Sequence, residues 1–195
     1  MSVLIAVPTF ETIMPECFKS IYGLRASKYN PMFDYVKGYD CATARNAIAK
    51  EAIEYGFDYV LMIDSDVVVP NETLDCMLDP AADIVLGLCP RKNTNIGRVE
   101  VYKDSGPDYT DFYTYKTLPD KHRLEIKGGG LACALIRTDV FRRLEYPYFR
   151  YVEYANGSSL SEDLFFCGKA REAGYQIYAD TRVRCGHAAR YIQYE

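Results

Sequence analysis

Tryptophan is absent from this chain, histidine occurs only twice, and no two of its seven cysteines form a CxxC pair. An odd number of scattered cysteines excludes a disulfide framework and a thiolate zinc site, and leaves most of them as small, reduced, buried hydrophobes. No apolar run approaches the ~20 residues needed to span a bilayer. The opening MSVLIAVPTF lacks the basic region and cleavage site of a signal peptide, so it reads as a first strand and the expected location is cytoplasmic. A long basic stretch is also missing and the formal net charge is -4, which speaks against nucleic acid as the main partner.

What is present is a chain of 195 residues, about half of them apolar, which suits a single domain over 1–195 with a substantial core. Strand-like runs alternate with helical patterns through the first half, the signature of βα units and a largely parallel sheet. Strands are expected at Val3–Val7, Phe33–Val36, Tyr59–Ile63 and Ile84–Leu88. Helices are expected at Met14–Tyr22, from Cys41 to about Tyr55 under an Asp40 cap, and at a short segment capped by Asn71. Residues 91–123 are polar and broken by Gly97, Gly106, Pro107 and Pro119, which predicts an irregular, mobile excursion with a short strand at Val99–Tyr102. After Gly128–Gly130 come a strand over Leu131–Ile136, a helix from Thr138, a Ser161-capped helix to Ala173 and a strand at Gln176–Tyr178. Eighteen tyrosines are mostly core or core-edge packing on this reading.

The run VLMIDSDVVVP, Val60 to Pro70, sets Asp64 and Asp66 at the carboxyl end of a fully apolar strand. Ligands bind at that end of strands in open α/β sheets. Residues two apart in an extended segment share a face, and two close carboxylates repel unless a proton or cation joins them. A divalent ion with a taste for oxygen, Mg2+ or Mn2+, resolves the repulsion; a capped turn is the plainer alternative. Glu162-Asp163 opens a helix, where acids suit either chemistry or the helix dipole. His187 is structural or a further metal ligand, and the latter would favour Mn2+. Arg45 is a phosphate clamp or one half of a surface ion pair. The glycines at 128–130 allow close backbone approach to a ligand or simply a flexible hairpin.

In their order along the chain, IAVPTF, ATARNAIAKEA, YVLMIDSD, GGGLACALIRTDVF, SEDLFFCGKAREAGYQIYADTRV and CGH resemble the family-2-like glycosyltransferases of the GT-A fold, with its Asp-x-Asp motif. The resemblance covers nearly the whole chain. It implies a Rossmann-like α/β domain, a mostly parallel central sheet flanked by helices. It further implies a nucleotide-diphosphate sugar donor, UDP- or GDP-linked, a glycan or other hydroxyl acceptor, and Mn2+ or Mg2+. Pro8, Thr9, Phe10, Asp40, Arg45, Asp64, Ser65, Gly129 and Gly130 map to donor binding, and Asp64, Asp66 and His187 to the metal. Asp163 maps to the base that removes the acceptor proton in inverting members, with Glu162, Tyr151 and Tyr154 on the acceptor side. Two rivals stand beside this reading. One is a haloacid-dehalogenase-type phosphatase, whose first motif VLMIDSDVVV fits locally. The other is a module that binds a nucleotide sugar without transferring it.

Overall fold

The computed structural model describes residues 1–92, 98–103 and 111–188. The first half builds β1 (Val3–Thr9), α1 (Pro15–Tyr22), β2 (Pro31–Lys37), α2 (Cys41–Glu54), β3 (Tyr59–Ile63), β4 (Val67–Val68), α3 (Thr73–Met77) and β5 (Ile84–Leu88). The middle adds β6 (Arg98–Tyr102), β7 (Phe112–Thr114), β8 (Arg123–Ile126) and β9 (Gly128–Gly129). The last third holds β10 (Cys133–Arg137), α4 (Thr138–Arg143), β11 (Val152–Glu153), β12 (Ser159–Leu160), α5 (Glu162–Glu172), β13 (Ile177–Arg184) and β14 (Gly186–His187).

Seven strands form the central sheet in the order β2-β1-β3-β10-β5-β13-β8. The pairings β1–β2, β1–β3 and β5–β13 are parallel, whereas β10 and β8 run against their neighbours. Most of the sheet therefore points one way, as expected, with β10 inserted in reverse between β3 and β5. The apolar strands lack polar alternation because both faces are covered. On β1, Leu4 and Ala6 pack into a core with α2, α4 and α5, while Val3, Ile5 and Val7 join Cys17 and Ile21 of α1 and Leu74 and Met77 of α3.

Several boundaries differ from expectation. The short helix α3 follows Glu72, which makes no side-chain cap bond; the Thr73 hydroxyl donates to Pro70 O instead, at 2.6 Å, so Asn71 is not its cap. The strand expected at Gln176–Tyr178 extends to Arg184, and its polar tail is tolerated because the buried Asp180 is paired with Arg182 at 2.7 Å. Within the excursion over 91–123, residues 93–97 and 104–110 lie outside the described residues; the remainder contains β6 and β7, paired antiparallel. Among the described residues no helix is long and apolar enough to cross a membrane.

Candidate active site

Asp64 and Asp66 leave β3 in a tight turn. Val67 N donates to Asp64 O at 3.0 Å within the turn, while Asp64 N donates to Ala132 O at 2.9 Å and Met14 N to Ser65 O at 2.8 Å, so two other chain segments hold it. Its far side is β4, which pairs with β14 so that His187 lies opposite Val67. Ala188 N donates to Asp66 O at 2.7 Å, which fixes the end of the chain's described part beside the second aspartate. Burial lowers the proton affinity of His187, and the neighbouring Asp66 raises it again in part.

Arg45 is the centre of charge in this region. It is 1 % exposed, on the buried side of α2 together with Ala42, Ile48, Ala49 and Ala52. Its Nη1 donates to Asp64 Oδ1 at 3.0 Å, its Nη2 lies 3.2 Å from Asp163 Oδ1, and its Nε is 3.9 Å from Glu162 Oε1. Burial alone would disfavour the charge, yet Asp64, Asp163 and Glu162 overcome that and hold the guanidinium protonated. A surface ion pair does not describe this arrangement, because Arg45 is buried. The guanidinium meets the carboxylates of Asp64, Asp163 and Glu162. On Asp64 it is Oδ1 that meets Arg45.

Asp163 enters from the first turn of α5, where Ser161 Oγ accepts from Leu164 N at 3.4 Å as the cap. Burial pushes the Asp163 carboxyl up to about 7; Arg45 pulls it down, while Glu162 and Asp64 push it further up. A group poised near neutrality is suited to accept and release a proton. Glu162 is buried and faces Arg45, with the Tyr151 hydroxyl hydrogen-bonded to it; burial and this contact raise the proton affinity of Tyr151. Tyr151 and Tyr154 are exposed around the β11–β12 hairpin, so of the expected acceptor group only the two tyrosines present open surface.

The rim opposite is made where β1 and β2 end. Gly38 N donates to Thr9 O at 3.1 Å, which places Pro8, Thr9 and the 69 % exposed Phe10 next to the start of α2. Thr9 turns its hydroxyl to Thr12 O at 2.7 Å. Asp40 accepts from both the backbone N (3.1 Å) and hydroxyl (2.7 Å) of Thr43 and so acts as a helix cap, its carboxyl held below the usual range by those bonds.

An open cavity of about 440 Å³ lies between Asp163 and His187, with Gly130, Lys92, Glu100 and Tyr102 among its lining. The glycines earn their place by close packing. A side chain on Gly129 would meet Glu100 O and Leu86 Cδ1, both at 2.7 Å, and one on Gly130 would stand 3.8 Å from Asp163 Oδ2. Lys92, Glu100 and Tyr102 escaped the sequence reading. Lys92 follows the carboxyl end of β5 closely, the same positional rule that singled out Asp64 and Asp66.

Among the described residues no three His, Cys, Asp or Glu side chains gather closely enough to hold a metal by themselves. The chemistry nevertheless fits a divalent cation. Asp66 Oδ2 already holds a cationic partner, the Lys92 ammonium, and His187 stands alongside. Mg2+-like ions are commonly bound by one or two protein ligands, with substrate phosphates and water completing the shell.

A helix-flanked sheet with these acids at the carboxyl edge has the architecture of the GT-A glycosyltransferases, and the fold is of that class. Solved structures similar to the chain include the protein A197 from STIV (18 % identity, TM-score 0.68, covering 96 % of this chain and 85 % of that one). Another is GalNAc-T7 with UDP, GalNAc and Mn2+ (12 % identity, TM-score 0.65, 96 % of this chain and 44 % of that). A third is the mannosyltransferase PcManGT from Pyrobaculum calidifontis with GDP-Man and Mn2+ (15 % identity, TM-score 0.60, 98 % and 58 %). The chain thus spans less than two thirds of the latter two. No family model matches the sequence, and no curated protein matches it.

Proposed function

We propose that the protein is a metal-assisted glycosyltransferase that moves a sugar from a UDP- or GDP-linked donor to a hydroxyl acceptor with inversion. The observation that carries this reading is Asp163, half-buried at the edge of the cavity with its carboxyl raised to about 7 and its position set by Arg45. Such a carboxylate takes the acceptor hydroxyl's proton as that oxygen forms a bond to the anomeric carbon. The bond from that carbon to the diphosphate breaks, and the nucleoside diphosphate leaves with the electron pair. Asp66 and His187 would hold Mn2+ or Mg2+, which when bound neutralises charge on the leaving diphosphate. Pro8, Thr9, Phe10 and Ser65 are assigned to the donor on the resemblance, Gly129 and Gly130 to the backbone wall along its sugar, and Tyr151 and Tyr154 to the acceptor side. UDP, GalNAc and Mn2+ in the GalNAc-T7 structure, and GDP-Man and Mn2+ in the PcManGT structure, support the choice of ligand class.

A dehalogenase-type phosphatase would need Asp64 as a free nucleophile, and its carboxylate is bonded to Arg45. A purely binding module has no use for a carboxyl tuned to neutrality. The test is thermal stabilisation by a panel of UDP- and GDP-sugars with Mn2+. One donor class raises the melting temperature on this reading, and a flat response to every donor overturns it.

A further inference from the structure

The second aspartate of the Asp-Ser-Asp turn is occupied by a cation of the chain itself. Lys92 Nζ is ion-paired with Asp66 Oδ2, on the same side of the molecule as His187, whose proton affinity responds to both groups. Two further observations show that the lysine is placed to leave. Its side chain is 51 % exposed, whereas that of Asp66 is 20 % exposed. The preceding segment is laddered to β6, by Glu100 N to Cys89 O at 3.2 Å, a Pro90–Val99 bridge and Arg91 N to Arg98 O at 2.9 Å. Lys92 is the next residue beyond the last of these rungs.

We propose that Lys92 is an exchangeable cation of the donor site: it neutralises Asp66 until a divalent ion takes that carboxylate, and then turns to the diphosphate oxygens of the donor. This rests on the transferase reading above. Two cations cannot share one carboxylate oxygen at close range without strong repulsion, so a divalent ion on Asp66 displaces the ammonium. The displaced group remains at the cavity that Lys92 lines with Asp163 and His187. An ammonium with three donors on a long flexible stem binds phosphate oxygens as a mobile point charge.

The test is a crossed pair of titrations on the whole chain. Mn2+ alone is titrated by electron paramagnetic resonance, and UDP and GDP are titrated by calorimetry at saturating Mn2+, for wild type, Lys92→Met and Lys92→Arg. With its competitor removed, Lys92→Met binds Mn2+ alone about threefold tighter or more, the scale of a part-exposed ion pair. The same variant binds the preferred nucleoside diphosphate about tenfold more weakly, the scale of a lost charged hydrogen bond, and Lys92→Arg restores that affinity in large part. Unchanged or weaker Mn2+ binding by Lys92→Met overturns the exchange, and unchanged diphosphate binding overturns the second role. Absence of UDP and GDP binding by the wild type defeats the transferase reading and the second role, while the Mn2+ titration still decides the competition for Asp66.

Discussion

Arg45 Nη2 lies 3.2 Å from Asp163 Oδ1, although 118 residues separate the two in sequence. The same guanidinium bonds Asp64, so one buried cation ties the start of α5 to the end of β3. The element that carries the proposed base and the Asp64–Asp66 turn are tied together by this cation.

Removing that cation leaves three carboxylates without their partner. Arg45→Ala is expected to destabilise the fold by about 3–5 kcal/mol, as when one member of a buried ion pair is deleted. Urea denaturation measures it. Arg45→Lys keeps the charge but loses the fork that reaches both acids, and so it moves the rate's pH midpoint upward while retaining more of the stability.

As the proposed base, Asp163 must be ionised to accept a proton, so the transfer rate is expected to rise with pH through about 7 and level above it. Asp163→Asn is expected to cut turnover by about 10²–10⁴-fold with donor affinity retained. Steady-state kinetics beside donor calorimetry separate the two effects, and near-normal turnover removes Asp163 as the base.

The same carboxyl makes a statement about stability. Its folded proton affinity, near 7, exceeds the ordinary value of 3.8, so protonation favours the folded state. Its contribution is full below about pH 3.8 and is lost as pH rises through about 7. Asp163→Asn therefore lessens the decline of melting temperature across that window, which a pH series of thermal melts reads directly.

Glycine packing separates two superficially alike substitutions. Gly129→Ala drives a methyl to 2.7 Å from a backbone oxygen and is expected to cost about 1–3 kcal/mol, with the Glu100 wall of the cavity displaced. Gly168→Ala, inside α5, meets nothing within 4 Å and is expected to stabilise by about 0.5–1 kcal/mol. Paired denaturation curves show opposite signs.

Much of this site was readable from residues alone. The abrupt change from Tyr59–Ile63 to Asp64 marks where a doubly covered strand leaves the core, and the structure puts it there. The burial of Arg45 was hard to read because alanines supply much of the apolar stripe of α2, and their small side chains leave it weak. Yet Arg45 stands three and four positions before Ile48 and Ala49 on that stripe. The length of β13 was hidden by Asp180, Arg182 and Arg184, charges that look like a loop until Arg182 and Arg123 are seen beside Asp180. Glu100 needed tertiary structure, because the packing of β6 on the glycines of β9 brings it to the cavity.

Asp66→Asn removes the carboxylate that holds a cation in this structure, and is expected to abolish metal-dependent donor binding while leaving the fold intact. Calorimetry with Mn2+ and donor checks it; unchanged affinity removes Asp66 from the ligand set.

Release of nucleoside diphosphate from the donor that stabilises the protein most, with acceptor sugars supplied and with Mn2+ either present or chelated, tests the proposed transfer most directly. Release that requires the metal, rises through pH 7 and disappears in Asp163→Asn is the predicted result. No release from any UDP- or GDP-sugar, or release indifferent to both the metal and Asp163, would contradict it.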